Sequence, residues 1–86
     1  MGFQFDPEKS DRNKEKHGID FYQAQALRDD PDLIVIPAKT TDDARFMVIG
    51  KIADKYWSGV MTYRGDGVKL ISVRRSHKEE IDIYEG

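Results

Sequence analysis

Three β-type runs follow one another almost without interruption: RFMVIGKI (45–52), YWSGVMTYR (56–64) and VKLISVR (68–74), broken only by ADK and GDG. Breaks this short cannot carry a crossover, so consecutive runs must pair antiparallel as hairpins. DLIVIP (32–37) adds a further strand ahead of a loop at 38–43, and the opening FQF reads as a short strand. The chain is thereby committed to an antiparallel sheet of about four strands. The remaining segments must be fitted around that sheet.

Two of those segments are helical and precede the sheet. DPEKSDRNKEKHG carries helix punctuation, with Asp6 as N-cap, Pro7 at the first helical position and Gly18 just past the end. Residues 8–17 nevertheless contain no large apolar side chain, so this helix has no hydrophobic stripe to bury. On it Asn13 and His17 share one face, with Lys9 and Lys16 on flanking rows. IDFYQAQALRDDP predicts a second helix, capped by Asp20 with Gln23 reaching back, and Phe21, Ala24 and Leu27 repeat at a spacing of three. SHKEEIDIYEG predicts a short C-terminal helix with an Ile81–Tyr84 apolar edge. The expected fold class is therefore α+β: two N-terminal helices packed on an antiparallel sheet, then a short C-terminal helix.

The 86 residues form a single domain, 1–86, that buries only roughly 60–65% of its unfolded surface. With no cysteine, neither a disulfide nor a thiolate metal site supports the core. No apolar run reaches the ~18 residues of a membrane span and MGFQFDPEKS has no signal-peptide core, so the expected location is cytoplasmic, with no membrane partner. Asp6 stands where a myristoylation signal needs Ser or Thr. Net charge is −2, but acid gathers in RDDPD (28–32) and TDDAR (41–45), while Lys69 to Lys78 hold four cations and no carboxylate. The overall balance argues against generic nucleic-acid binding, and the local field argues for an anionic partner.

Hairpin closure fixes an expected register. Closing the last hairpin at Gly65–Gly67 pairs Thr62 with Leu70, Val60 with Ser72 and Ser58 with Arg74; closing the previous one at Ala53–Asp54 pairs Lys51 with Tyr56, Ile49 with Ser58 and Arg45 with Thr62. Two basic ends result. One holds Arg45 and Arg64, the other Lys51, Lys55, Arg74, Arg75, His77 and Lys78. Six strand residues separate them, roughly 20 Å at about 3.3 Å per residue. One phosphate cannot reach both ends.

Arg74 and Arg75 are the leading chemical candidates, because guanidinium forks grip phosphate oxygens and stabilise charge developing on an attacked phosphodiester. Adjacent strand residues point to opposite faces, so one of the two aims into a given groove. The competing use is internal, in salt bridges to Glu79, Glu80 or Asp82. His77 and His17 are candidate acid–base groups; each also has a plain role, His77 as a solvated helix-start residue and His17 as a cation at a helix C-terminus. Two histidines without HxxxH spacing make no metal motif, and no Gly-x-Ser-x-Gly surrounds Ser58, Ser72 or Ser76. Trp57, Met61 and Tyr63 alternate along one strand face as expected core. Tyr84 either stacks on a base and bonds a phosphate, or seals the core under the last helix.

In order along the chain, FDPEK, NKEKHGIDFYQA, DDP, ARFMVIG and LISVRRSHKEEIDIYE resemble the BrnT family of bacterial toxins. Ala44 stands where the family pattern has Glu, and Val73 where it has Ala. The resemblance implies a RelE-like fold, metal-independent RNA cleavage without a cofactor, and a companion antitoxin with a ribbon-helix-helix-type DNA-binding region, through which alone DNA is contacted. By position it assigns catalysis to Arg74 and Arg75, with Tyr84 and the facing Lys51 beside them. Expected RNA contacts are Lys16, Lys51, Tyr84, Arg64 and Arg45, and His77 is the nearby acid–base candidate. The expected function is a type II toxin that cleaves RNA by attack of the substrate's 2′-OH. The alternative is a non-catalytic antitoxin-binding module acting as transcriptional co-repressor, its acidic loops (28–32, 42–43) suited to a basic partner.

Overall fold

The structure, a computed structural model, describes residues 3–38 and 45–86. The expected loop at 38–43, apart from its first residue, lies outside the described residues, as do Met1, Gly2 and the acidic pair Asp42–Asp43. The elements run α1 (Pro7–His17), a 3₁₀ helix (Gln23–Asp29), β1 (Ile34–Ala38), β2 (Arg45–Ile52), β3 (Lys55–Arg64), β4 (Gly67–Arg75) and α2 (Lys78–Glu85). The four strands form one antiparallel meander in the order β1-β2-β3-β4. This is the α+β arrangement with a four-stranded antiparallel sheet that the hairpin argument requires. The opening FQF supplies one parallel bridge, Gln4 to Lys69, on the outer edge of β4 rather than a strand.

The N-terminal segment and one sheet face share the core: Ile19, Phe21, Ala24 and Leu27 pack with Val48, Trp57, Met61, Leu70 and Val73. Phe5 meets Phe21 edge-on at 5.7 Å and adds to it. Tyr63, expected in this core, is instead 63% exposed beyond its end and leans on Phe46. The second helix is shorter and tighter than an α-helix. The expected Asp20–Gln23 pair is nonetheless reciprocal, Gln23 N–H donating to Asp20 Oδ1 at 2.7 Å and Asp20 N–H to Gln23 Oε1 at 3.0 Å, although it is Tyr22 that stands at the N-cap of the 3₁₀ helix. A 3₁₀ helix turns every three residues, so Ala24 and Leu27 stack in one row; Phe21 joins them from the turn just ahead of the helix, and all three are fully buried.

The expected register holds for β2 with β3 along its whole length. Between β3 and β4 it holds for Ser58–Arg74 and Val60–Ser72 and then slips, so that Met61 faces Leu70 and Thr62 faces Lys69, not Leu70. Ile71 is the extra residue of a bulge. The cause is hydrophobic: in the unbroken register Leu70 and Val68 would share the face of Ser72 and Arg74. One extra residue turns them to the core beside Val73. The two hairpins turn through positive φ at Ala53 (57°) and Gly65 (55°), which Gly accepts freely and Ala at a cost of roughly 1–2 kcal/mol.

α1 ends at Gly18 in the left-handed conformation, with Gly18 N–H on Lys14 O. Lacking a hydrophobic stripe, this helix docks through two buried polar side chains. Ser10 Oγ accepts the Phe21 N–H at 2.9 Å. Asn13 Nδ2 donates to Ile19 O and to Val73 O, both at 2.8 Å, while its Oδ1 accepts the Val73 N–H at 3.1 Å. The amide thus stands in for a neighbouring strand on the edge of β4. Removing it would strand buried backbone groups, each costing about 1–3 kcal/mol. Asn13→Ala is therefore expected to lose about 3 kcal/mol or more by urea denaturation; a loss under about 1 kcal/mol would show that water replaces the amide readily.

Candidate functional site

α2 returns across the sheet face opposite the core, where Tyr56, Ser58, Val60 and Thr62 project from β3. Two clusters pin it there. In the first, Glu80 gathers four hydrogen bonds: from Arg74 Nη1 (2.8 Å), Ser58 Oγ (2.9 Å) and the His77 N–H (2.8 Å) to Oε1, and from Arg74 Nη2 (2.7 Å) to Oε2. Ser76 closes the group, its hydroxyl 2.7 Å from that of Ser58. In the second, Tyr84 donates its hydroxyl to Asp30 Oδ2 at 2.8 Å, and Tyr56 donates to Glu85. The two rings meet edge-on at 5.6 Å, and Lys51 Nζ lies 5.1 Å from the Tyr56 centroid.

The electrostatics follow from these bonds. The Arg74 hydrogen bonds, aided by those of the His77 N–H and Ser58, outweigh burial and hold the Glu80 carboxyl at about 2. So strongly ionised a carboxylate is a poor proton acceptor at neutral pH. Tyr84 is pushed up to about 12, first by its hydrogen bond to Asp30 and then by burial. Burial opposes ionisation of Asp30, yet hydrogen bonds from the Asp32 and Lys51 N–H groups and from Tyr84, with the Lys51 charge, hold its carboxyl below the usual range.

The adjacent arginines divide between the two faces, as strand alternation demands. Arg74 is half-buried in a bidentate ion pair with Glu80, the internal use foreseen for such a pair. Arg75 points the other way, with its guanidinium carbon 5.5 Å from the centroid of Trp57, its partner in register. It is exposed and makes no ion pair among the described residues.

A model of the BrnT family, described as the ribonuclease toxin of type II toxin–antitoxin systems, matches residues 5–80. The chain belongs to the BrnT family. No curated protein matches it. Membership brings an antitoxin partner and an RNA substrate as the expected company of a BrnT toxin. No helix among the described residues is long and apolar enough to cross a membrane. Nor do the described residues gather three His, Asp or Glu side chains into a metal-ligand group.

Seen as a BrnT toxin, the chain brings some expected site residues together and separates others. Lys51, Arg74, Tyr84 and His77 collect at one end of the sheet, where α2 begins or packs. The Tyr84 hydroxyl and the Arg74 fork are there engaged with carboxylates. His77 opens α2 with its side chain exposed. Arg45 and Arg64 lie at the far end, opposite Thr62 and Gly67. Lys16 belongs to neither end: it lines a groove of about 300 Å³ with Lys9, Arg12, Asn13, His17, Ile71 and Ser72. Sequence reasoning missed Arg12, although its place three residues after Lys9 and four before Lys16 is a helical repeat. Glu80 could be named from the sequence only as one of three possible partners for the arginines, because i+6 across a strand–helix junction has no regular geometry.

Because Glu80's folded value lies below its ordinary 4.5, its stabilisation is complete above about pH 4.5 and drains away as pH falls toward 2. Between pH 6 and 3 the thermal midpoint of the wild type should fall more steeply than that of Glu80→Gln. Parallel slopes would show that the Arg74–Glu80 pair contributes no net stability.

Proposed function

We propose that this BrnT-family chain is an endoribonuclease that works without a metal ion, and that Arg75 is its transition-state cation. The substrate's 2′-oxygen attacks the neighbouring phosphorus as the bond to the 5′-oxygen breaks, leaving a 2′,3′-cyclic phosphate and a 5′-hydroxyl. The 2′-OH proton must depart, and one must reach the leaving oxygen. His77 is the side chain assigned to that traffic, since the Glu80 carboxylate is too weak a base. The single observation that carries the assignment is the split of the arginines. Arg74 is committed to Glu80, while Arg75 lies exposed over Trp57 with its guanidinium edges available for phosphate oxygens.

In this reading Arg74 is a positioning residue. It fixes the start of α2 and with it His77 and the end of β4. Lys51 and Tyr84 brace the same end from β2 and α2. The family description carries a ribonuclease toxin of a type II toxin–antitoxin system; a RelE-like fold, activity in the cytoplasm and restraint by an antitoxin with a ribbon-helix-helix-type DNA-binding region belong to the same proposal.

Purified protein incubated with RNA in low salt and EDTA, with and without ribosomes, tests the proposal. Arg75→Ala should lower cleavage by about 100-fold or more with an unchanged thermal midpoint. Arg74→Ala should lower the midpoint as well as the rate. If Arg75→Ala cleaves like the wild type, the site lies elsewhere, and Arg45 and Arg64 are next to be tested. If the folded wild type cleaves nothing under either condition, a non-catalytic antitoxin-binding module becomes the better reading.

A further inference from the structure

The groove beside α1 has a helix wall remote in sequence from the arginine pair, and the cleavage chemistry proposed above makes no use of it. Its walls are Lys9, Arg12, Lys16 and His17 from the helix and Ile71 and Ser72 from β4, and no carboxylate lines it. Lys9, Arg12 and Lys16 sit at i, i+3 and i+7, on one row of the helix, spanning about 10 Å at 1.5 Å per residue. All three are exposed. Asp11 and Glu15 occupy a different row, and Glu8 meets Arg12 only at 3.9 Å with both side chains largely in solvent. A chain with net charge −2 has thus gathered three of the four Lys and Arg side chains of α1 onto one wall of a groove.

The groove floor is rigid. Asn13 is 7% exposed and its amide is fully used on Ile19 and Val73, which fixes the helix against the strand edge. On the other wall lie Ile71, the extra residue of the bulge, and Ser72, which alternation places on the face of β4 that carries Arg74. Ser72 and Arg74 are two strand steps apart, about 6.6 Å. The groove therefore runs along the edge of β4 toward its arginine end.

We propose that this groove holds the phosphodiester backbone of single-stranded RNA and leads it to the Arg74–Arg75 end of β4. The proposal rests on the ribonuclease reading for the identity of the polyanion. A row of cations at regular intervals matches a repeating charge better than a single carboxylate, and a phosphate row on one side of the scissile bond supplies the alignment that cleavage needs. Lys9, Arg12 and Lys16 act on affinity and register, with no part in bond breaking.

The test is fluorescence anisotropy with a short 2′-O-methyl RNA, which binds but cannot be cleaved, titrated between about 50 and 200 mM salt. The double variant Lys9→Gln/Lys16→Gln is set beside Lys14→Gln/Arg28→Gln, which removes equal charge outside the groove. Loss of two phosphate contacts should flatten the log–log salt slope by about 1.4 and weaken binding tenfold or more at low salt. The control pair should keep the wild-type slope. Equal slopes in the two doubles overturn the proposal, as does a wild type that does not bind this RNA. So does a groove double that loses only its affinity for an antitoxin. Cleavage of ordinary RNA, measured in parallel, separates the two readings. Groove-dependent binding without any cleavage leaves the groove standing and removes the nuclease. Arg75-dependent cleavage with an unaffected groove double does the reverse.

Discussion

The Asn13 amide is the interaction on which the arrangement depends. α1 has no apolar face to hold it, and in isolation eleven residues of such composition would be a marginal helix. What places it is one side chain that pairs with both backbone groups of Val73, as a strand would, and with the Ile19 carbonyl. That single contact joins residues 60 apart, finishes the open edge of β4 and fixes the Gly18 turn from which the core-forming segment starts. The Ser10 bond to Phe21 repeats the device one turn earlier. Because docking spends polar atoms near the helix axis, the neighbouring row is free to carry Lys9, Arg12 and Lys16 without losing packing.

A comparable economy governs the other face. α2 is only eight residues long and contributes no buried residue. It is seated by hydrogen bonds at its start (Glu80) and near its end (Tyr84) rather than by area. The carboxylate of Glu80 binds strand, junction and helix together, at the cost of committing Arg74. The structure therefore uses the two arginines differently. A pair that looks redundant in the sequence becomes one tether and one exposed cation, because successive strand residues leave on opposite faces.

How legible the molecule was depends on which residues are asked. The hairpins could be closed by hand because their loops are two residues long, and the β2–β3 register came out in full for that reason. The bulge left a trace that went unread. Val68 and Leu70 are apolar at even positions and Ile71 and Val73 at odd ones, a change of phase that a strand with one buried face cannot hold without an extra residue. Phe21, Ala24 and Leu27 repeat every three residues, a spacing that over so short a stretch fits an α-helical face as well as the 3₁₀ turn that Ala24 and Leu27 occupy. Arg12 was passed over because cations on a short charged helix look merely solvated until something forms the other wall.

The sequence by itself determined the local and the periodic: the meander, the caps at Asp6 and Gly18, the reciprocal Asp20–Gln23 bonds, the basic character of the β4 end, and the family to which the chain belongs. These follow from turn length, capping chemistry and alternation, all of which act within a few residues. Only the tertiary structure decided that Asn13 would serve as a strand, that Glu80 would claim Arg74 and leave Arg75 exposed, and that α1 and the bulged edge of β4 would enclose a cationic groove. Each of these joins groups whose separation along the chain carries no periodicity. Their pairing is set by which buried donors and acceptors must be satisfied once the core has closed.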